Sequence, residues 1–205
     1  MRISNLERAV EAMVYLQEGQ PYSLHPDDKK RKLLDEVSRL CREMKLSPVV
    51  IGGLAVSHHG YIRTTRDVDV LLGREEGMAL VRRLKTELGW KRYAEGFLNT
   101  VLEVGLDIRV EGQKTSLRGD EKFPNPSNLR TVRVQPIPVV ALTELIALKV
   151  MSARAQDDAD VVNLFKVHRR GLASLSASAA GLLKTAAAKA HLKSLVGRAK
   201  EELGR

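Results

Sequence analysis

The chain has 205 residues, of which 43% are hydrophobic and 29% charged, and its formal net charge is +9. This apolar fraction supports a folded core and excludes a disordered chain, and no run approaches the roughly 18 consecutive apolar residues of a membrane span. The positive charge favours polyanionic partners, and residues 166–205 carry nine Lys and Arg against two Glu.

The first 45 residues are predicted to form two helices. Apolar residues recur with helical spacing over residues 4–17, where Ser4 and Glu7 resemble a capping box, and this start lacks the apolar segment of a signal peptide. A second apolar stripe over residues 27–45 includes the single cysteine, Cys41, which we expect to be a buried and unreactive thiol. With no disulfide framework, the sequence indicates a reducing cytoplasm.

The middle of the chain alternates predicted strands and helices. The predicted elements are, in chain order, a buried strand in "PVVIGG", a short helix in "LAVSHHG", a strand over residues 66–72, a helix over 74–88, two strands "FLNTVLEVG" and "LDIRVEG" that meet at Gly105, a loop over 113–130, and one last strand in "TVRVQPIPVV".

After residue 141 the pattern predicts helices only. We therefore divide the chain into N-terminal helices packing on the core (1–45), an α/β core (46–141) and a C-terminal helical region (142–205). The fold class is α/β, more specifically α+β, with a small mixed sheet flanked by helices.

Two acidic residues interrupt the apolar strand "DVDVLL". Because alternate side chains of a strand point to the same face, Asp67 and Asp69 project together and repel each other. Magnesium takes oxygen ligands, commonly one or two carboxylates plus substrate phosphates. The pair is a candidate metal site, although an isolated D-x-D is more often a pair of solvated side chains.

Two further features accompany this pair. Gly52 and Gly53 separate a strand from a helix, where glycine lets the backbone approach a phosphate; a plain turn is the commoner explanation. Asp107 shares a strand face with Arg109. It either pairs with Arg109 at a sheet edge or, if its strand lies beside the first, completes a three-carboxylate cluster that can hold two metal ions.

In this order, the features resemble the signature of the polymerase-β-like nucleotidyltransferase superfamily: a glycine pair ending a strand, a short helix, D-x-D, and a third Asp. They are similar to its minimal prokaryotic toxin-type, or abortive-infection, subgroup, whose pattern is matched by Gly52, Gly53, Ala55, Arg63, Thr65, Asp67 and Asp69. Later positions of that pattern are matched by Lys149, Arg154, Asp157 and Asp160. Many superfamily members have Gly-Ser instead of Gly-Gly, so a serine contact to phosphate is missing here.

The resemblance implies a role for each site residue. The catalytic and metal-binding residues would be Asp67, Asp69 and Asp107, with two Mg²⁺ ions (or Mn²⁺), and Asp107 could instead take the proton of the attacking hydroxyl. The nucleotide-binding residues would be Gly52, Gly53, Arg63, Thr65, Arg66 and Lys149. The arginines could alternatively pair with neighbouring acids, and Lys149 could be a solvated charge. We expect His58 and His59 to be ordinary polar residues.

The resemblance implies a magnesium-dependent enzyme that moves a nucleoside monophosphate from an NTP to an acceptor hydroxyl. The basic C-terminal helices favour RNA, specifically tRNA, as the acceptor, with a protein second and a polycationic aminoglycoside less favoured. Such a chain could be the toxin of a toxin–antitoxin pair, with an antitoxin partner and no membrane partner. The alternative is a non-catalytic module of the same fold that binds nucleotide, RNA or a protein, and the basic end could be only a solvated face.

Overall fold

The computed structural model describes residues 28–93, 96–116, 120–133 and 136–204, without the side chain of Tyr93. The helix predicted over residues 4–17 lies outside this part of the chain. The described helices are α1 (Lys29–Glu43), α2 (Gly52–His58), α3 (Arg74–Thr86), α4 (Leu142–Ser152), α5 (Ala155–Val167), α6 (Leu172–Leu182) and α7 (Ala186–Leu203). The strands are β1 (Val49–Ile51), β2 (Asp67–Leu72), β3 (Lys91–Tyr93), β4 (Gly96–Asn99), β5 (Val104–Val110), β6 (Thr131–Val132) and β7 (Val139–Val140).

These strands form one mixed sheet in the order β3-β4-β5-β2-β1-β7-β6. Strand β2 pairs antiparallel with β1 and parallel with β5, so β5 lies inside the sheet, between β4 and β2. The mixed sheet with its flanking helices confirms the predicted α+β fold class.

The two faces of β2 serve different purposes. Val68, Val70 and Leu72 are fully buried on one face. Helices α1 and α3 contact β2 and β5, and Gly77 of α3 packs against Leu72 and Val110. Burial of these apolar side chains stabilises the fold. Asp67 and Asp69 point to the opposite face of the strand.

The C-terminal helices pack on the other side of the core. Helix α4 contacts α2, and α5, α6 and α7 surround α4. Leu145, Ile146 and Phe165 are buried in the same apolar cluster as the strand residues. The boundaries of the predicted three-part division remain predictions. None of the described helices combines the length and the hydropathy required to cross a membrane.

Three local predictions were wrong. Gly105 does not separate two strands, because it lies inside the continuous strand β5, and the preceding turn falls at residues 100–103. The single strand predicted at residues 131–140 is instead the two short strands β6 and β7, because Pro136 and Pro138 cannot donate to a sheet. Helix α2 begins at Gly52 rather than after Gly53.

The prediction for Cys41 is confirmed. Its side chain is 1% exposed within the apolar stripe of α1. Burial, with a smaller contribution from the charge of Glu76, raises the pKa of the thiol to about 12. The thiol therefore stays protonated at neutral pH and is a poor nucleophile.

Candidate active site

The sheet register brings two of the predicted acids side by side. In the parallel pair β2–β5, Asp69 is the register partner of Asp107, and Asp67 is the partner of Gly105. Side chains of register partners share a face, so all three acids project from the same side of the sheet. The strand order that sequence could not provide therefore places Asp107 next to the D-x-D pair.

Asp107 also makes the ion pair that was predicted as its alternative role. Arg109 Nη2 donates to Asp107 Oδ2 at 2.9 Å, with both side chains largely buried. The prediction of an edge position was wrong, since β5 is an interior strand. Among the described residues, no three His, Cys, Asp or Glu side chains converge as a ready-made metal site.

The electrostatic environment of Asp69 disfavours its charged form. Burial and, second, the charge of Asp107 raise the pKa of Asp69, whereas Arg109, Lys149 and Arg154 act to lower it. A carboxylate that loses hydration beside another carboxylate is stabilised by a bound cation. A cation bound at Asp69 would therefore stabilise its ionised form, whereas Asp107 already pairs with Arg109.

Gly52 is the residue that lets the backbone approach Asp69. It has a left-handed φ of 65°, and a Cβ atom at this position would overlap the Asp69 carboxylate. Only glycine satisfies both the backbone conformation and the close contact. The turn between β1 and α2 thus lies directly against the acid.

We expect Gly52→Ala to lower the free energy of unfolding by roughly 1–3 kcal/mol, because the variant combines backbone strain with displacement of the Asp69 carboxylate. Chemical denaturation monitored by circular dichroism measures this. The matched control is Gly197→Ala in the interior of α7, where a Cβ meets no atom within 4 Å. That variant should gain about 0.5–1 kcal/mol from helix propensity. Equal stability of Gly52→Ala and the wild type would contradict the close contact.

Gly53 makes a second close approach in the same turn. A Cβ on Gly53 would lie 2.6 Å from Thr65 Oγ1 and 3.2 Å from Arg63 Nη2. Thr65 Oγ1 donates to the carbonyl of Asp67 at 3.2 Å. Thr65 therefore connects the glycine turn to the start of β2. Arg66 is exposed at the start of this strand.

A buried ion network lies behind the glycine turn. Lys149 Nζ donates to Asp157 Oδ1 at 2.6 Å and to Asp160 Oδ2 at 2.7 Å, and all three side chains are at most 5% exposed. Arg63 binds Asp160 through Nε at 2.7 Å and Nη2 at 2.9 Å. Lys149 is therefore not a solvated charge, and the predicted alternative of an ion pair holds for Arg63.

Arg154 completes the network from the solvent side. Its Nε donates to Asp157 Oδ2 at 2.7 Å, while its side chain is 66% exposed. Burial of Asp157 acts to raise its pKa, but the charge of Lys149 and hydrogen bonds from Arg154 and Lys149 outweigh it and lower the pKa. Asp157 is thus held ionised, and Arg154 remains accessible to a ligand.

These groups border a cavity of about 670 Å³, within the usual range for ligand sites. Gly52, Asp69 and Lys149 belong to its lining, whereas Asp67 and Asp107 do not. The charged side chains among its described lining are Asp69, Asp157, Arg109, Lys114, Lys149 and Arg154, an excess of two positive charges. The cavity therefore has Asp69 in its wall, together with four cationic side chains and Asp157.

Sequence reasoning left several cavity residues out of the site. Lys114, Ser116 and Phe123 come from the loop after β5, which has no periodic pattern to place it. Arg154 was recognised only as a position of the family pattern, although its spacing of three residues from Asp157 is that of an ion pair at a helix start. His59 Nε2 contacts the carbonyl of Val140 at 2.8 Å, consistent with the polar role predicted for it.

Comparison with known proteins establishes the fold alone. No protein-family model and no curated protein matches the chain by sequence. Among solved structures, an antigenic nucleotidyltransferase-like protein from Paracoccidioides brasiliensis is similar over 88% of this chain and 93% of its own, with a TM-score of 0.50 and 12% identity. The chain therefore has a nucleotidyltransferase-like fold.

Two structures of one further protein are more distant. The antibiotic-resistance factor ANT(2″)-Ia in solution aligns with 86% of this chain and 98% of its own, at a TM-score of 0.47 and 12% identity. A crystal structure of ANT(2″)-Ia in complex with adenylyl-2″-tobramycin aligns with 84% of this chain and 97% of its own, at a TM-score of 0.39 and 16% identity.

Proposed function

We propose that this chain is a magnesium-dependent nucleotidyltransferase that moves a nucleoside monophosphate from an NTP to an acceptor hydroxyl and releases pyrophosphate. The observation that carries the proposal is the register of Asp69 with Asp107. It joins the D-x-D pair to a third acid, and Asp69 itself lies against the Gly52 turn in the wall of the cavity. The fold and the order of these features support the same reaction.

The donor set fits magnesium. Asp67 and Asp69 offer carboxylate oxygens on one strand face, and one or two carboxylates plus substrate phosphates are a common ligand set for this ion. Burial and, second, the charge of Asp107 raise the pKa of Asp69, so a bound cation would stabilise its ionised form. Asp67, Asp69 and Asp107 would hold the ions, whose chemistry is to neutralise charge that develops on the phosphates.

The cations of the site divide into two groups. Arg63 and Lys149 spend their hydrogen bonds on Asp157 and Asp160, so we assign them to positioning the glycine turn against α4 and α5. Arg154 also donates to Asp157, but its side chain is 66% exposed at the cavity rim, and we assign it to the triphosphate. Gly52 and Gly53 would present backbone N–H groups to the triphosphate, because this chain has no serine hydroxyl at this turn.

We favour tRNA as the acceptor and a protein, such as a partner antitoxin or the chain itself, as the second choice. The net charge of +9 and the basic C-terminal helices support an anionic acceptor and disfavour a polycationic aminoglycoside. On the subgroup resemblance, we further propose that the chain is the toxin of a toxin–antitoxin pair acting in the cytoplasm.

One observation favours the alternative of a non-catalytic binding module. Arg109 occupies Asp107 Oδ2, and the described acids do not converge as a preformed three-ligand site. A catalytic site requires Asp107 to exchange this partner for metal or for the acceptor hydroxyl. A binding module requires no such exchange and would still use the cationic cavity.

Label transfer separates these two functions. The protein is incubated with magnesium and each α-labelled NTP, with total tRNA, an aminoglycoside or no acceptor. We expect label in tRNA, dependent on magnesium and lost in Asp67→Asn/Asp69→Asn. Nucleotide binding without transfer to any acceptor would instead identify the binding module.

The reaction should depend on pH through Asp69. Because the pKa of this carboxyl is raised, protons compete with magnesium at a higher pH than at an ordinary aspartate. We expect the apparent affinity for magnesium to weaken as pH falls. This weakening should begin at a pH above the usual Asp pKa of about 3.9. Magnesium titrations of the initial rate at several pH values measure this. An affinity that stays constant down to that range would show that Asp69 is not the titrating ligand.

A further inference from the structure

A row of lysines leads away from the mouth of the cavity. We define the basic ledge as Lys114, Lys122, Lys184, Lys189 and Lys193, all of them exposed. We propose that this ledge binds the phosphate backbone of an RNA acceptor and delivers its hydroxyl to the cavity. The proposal rests on the proposed function and adds the surface that holds the acceptor.

The ledge begins on the loop that follows β5. Lys114 lines the cavity and forms an antiparallel bridge with Lys122, so the two lysines are neighbours on one hairpin. Thr115 Oγ1 of this hairpin donates to the carbonyl of Met151 at 2.9 Å, which ties the hairpin to α4. The loop is thus held at the cavity mouth with its lysines outward.

A side-chain contact joins this hairpin to the last helix. Thr185 Oγ1 donates to Glu121 Oε1 at 2.7 Å, and Thr185 is also the N-cap of α7. Lys184 directly precedes this N-cap. The contact therefore places Lys122 and Lys184 on adjoining segments, and the ledge is continuous from the hairpin to α7.

Along α7 the ledge follows one flank. At about 100° per residue, Lys189 and Lys193 lie within about 40° of each other, roughly 6 Å apart along the axis. The buried side of this helix holds Ala188, Leu192, Leu195 and Ala199, which fixes the lysines toward solvent. The packing of α7 therefore holds Lys189 and Lys193 toward solvent.

Most charges of the ledge are uncompensated. Within the described part of the chain, no ion pair involves Lys122, Lys184, Lys189 or Lys193, whereas Lys114 pairs with the 97% exposed Asp120 at 3.1 Å. Exposed pairs of this kind contribute little and exchange readily for another anion. The ledge is therefore available to a row of phosphates.

The surface suits a nucleic-acid backbone rather than exposed bases. Aromatic residues make up 4% of the chain, and none is among the exposed large hydrophobic side chains of the described residues. Without aromatic platforms for stacking, affinity must come from phosphate contacts. Such contacts tolerate many sequences, and RNA supplies the ribose hydroxyl that the reaction requires.

Charge reversal on α7 and at Lys184, just before its N-cap, tests the ledge. The variant Lys184→Glu/Lys189→Glu/Lys193→Glu leaves every cavity residue unchanged. The control, Lys85→Glu/Lys91→Glu/Arg92→Glu, makes the same charge change at exposed residues of α3 and of edge strand β3. Binding of a fluorescent tRNA transcript is measured by anisotropy across a series of KCl concentrations, without NTP or magnesium, so the result is independent of catalysis.

We expect the ledge variant to bind the transcript at least about tenfold more weakly, and the slope of log K against log salt to fall by about 2–3. The control should change affinity by less than about threefold. Equal losses of affinity in both variants, or no binding by the wild type, would contradict the proposal that the ledge binds RNA. Displacement of the transcript by polyglutamate as readily as by unlabelled tRNA would also overturn it, in favour of an acidic protein. Salt-dependent binding without label transfer would keep the ledge and reject the proposed reaction.

Discussion

Asp69→Asn is expected to abolish nucleotidyl transfer while making the protein more stable. Loss of a metal ligand removes several kcal/mol of transition-state stabilisation, which lowers the rate by on the order of 10³-fold or more. The folded-state pKa of Asp69 is raised above its unfolded value, so folding is favoured by protonation and opposed by ionisation at neutral pH. Asparagine resembles the neutral form and removes this cost.

The two effects are measured as the transfer rate and the thermal midpoint of the metal-free protein. The rise in thermal midpoint depends on pH. The stabilisation by Asn is present at neutral pH and shrinks as pH falls through the pKa of Asp69. Asp35→Asn on α1, an exposed acid whose 3.3 Å pair with Arg31 lies on the helix surface, is the control and should leave both quantities near the wild-type values. A variant that loses activity and also unfolds at lower temperature would indicate a structural role for Asp69 instead.

Lys149→Met is expected to be the most destabilising single change in the site. The side chain is 5% exposed, and its removal leaves Asp157 and Asp160 buried without their shared cation. Breaking a buried ion pair by removal of one partner costs about 3–5 kcal/mol. For a chain of this length we expect a fall of roughly 10 °C in the thermal midpoint.

A second substitution shows whether buried charge is the cause. Lys149→Met/Asp160→Asn removes one of the two carboxylates that lose the Lys149 partner and should recover part of the lost stability. The matched control is Lys166→Met on α5, whose 2.9 Å pair with Glu202 is partly exposed and should contribute at most about 1 kcal/mol. If Lys149→Met and Lys166→Met shift the midpoint equally, the network is not a structural anchor.

The sequence was sufficient to predict the local parts of the site. Alternation along "DVDVLL" places Asp67 and Asp69 on one face, and the structure has them there. The glycine pair, the short helix and the helices after residue 141 are also local features. Each follows from spacing or backbone conformation within a few residues, so no knowledge of the rest of the fold is required.

What sequence reasoning missed depends on contacts between distant segments. Gly105 was taken for a strand boundary, yet it lies within β5 as the register partner of Asp67, whose carboxylate occupies the space that a Cβ would need. A strand glycine can mark such a close approach as well as a break. The pairing of Lys149 with Asp160 likewise depends on how α4 packs against α5.

The central claim is that the acids at β2 and β5 transfer a nucleotidyl group. The most direct measurement compares α- and γ-labelled NTP in the same reaction with magnesium and total tRNA. The account predicts that α-label enters the tRNA, that γ-label appears only in pyrophosphate, and that both vanish in Asp69→Asn. Transfer of γ-label to the acceptor, or α-label transfer that persists in Asp69→Asn, would contradict it.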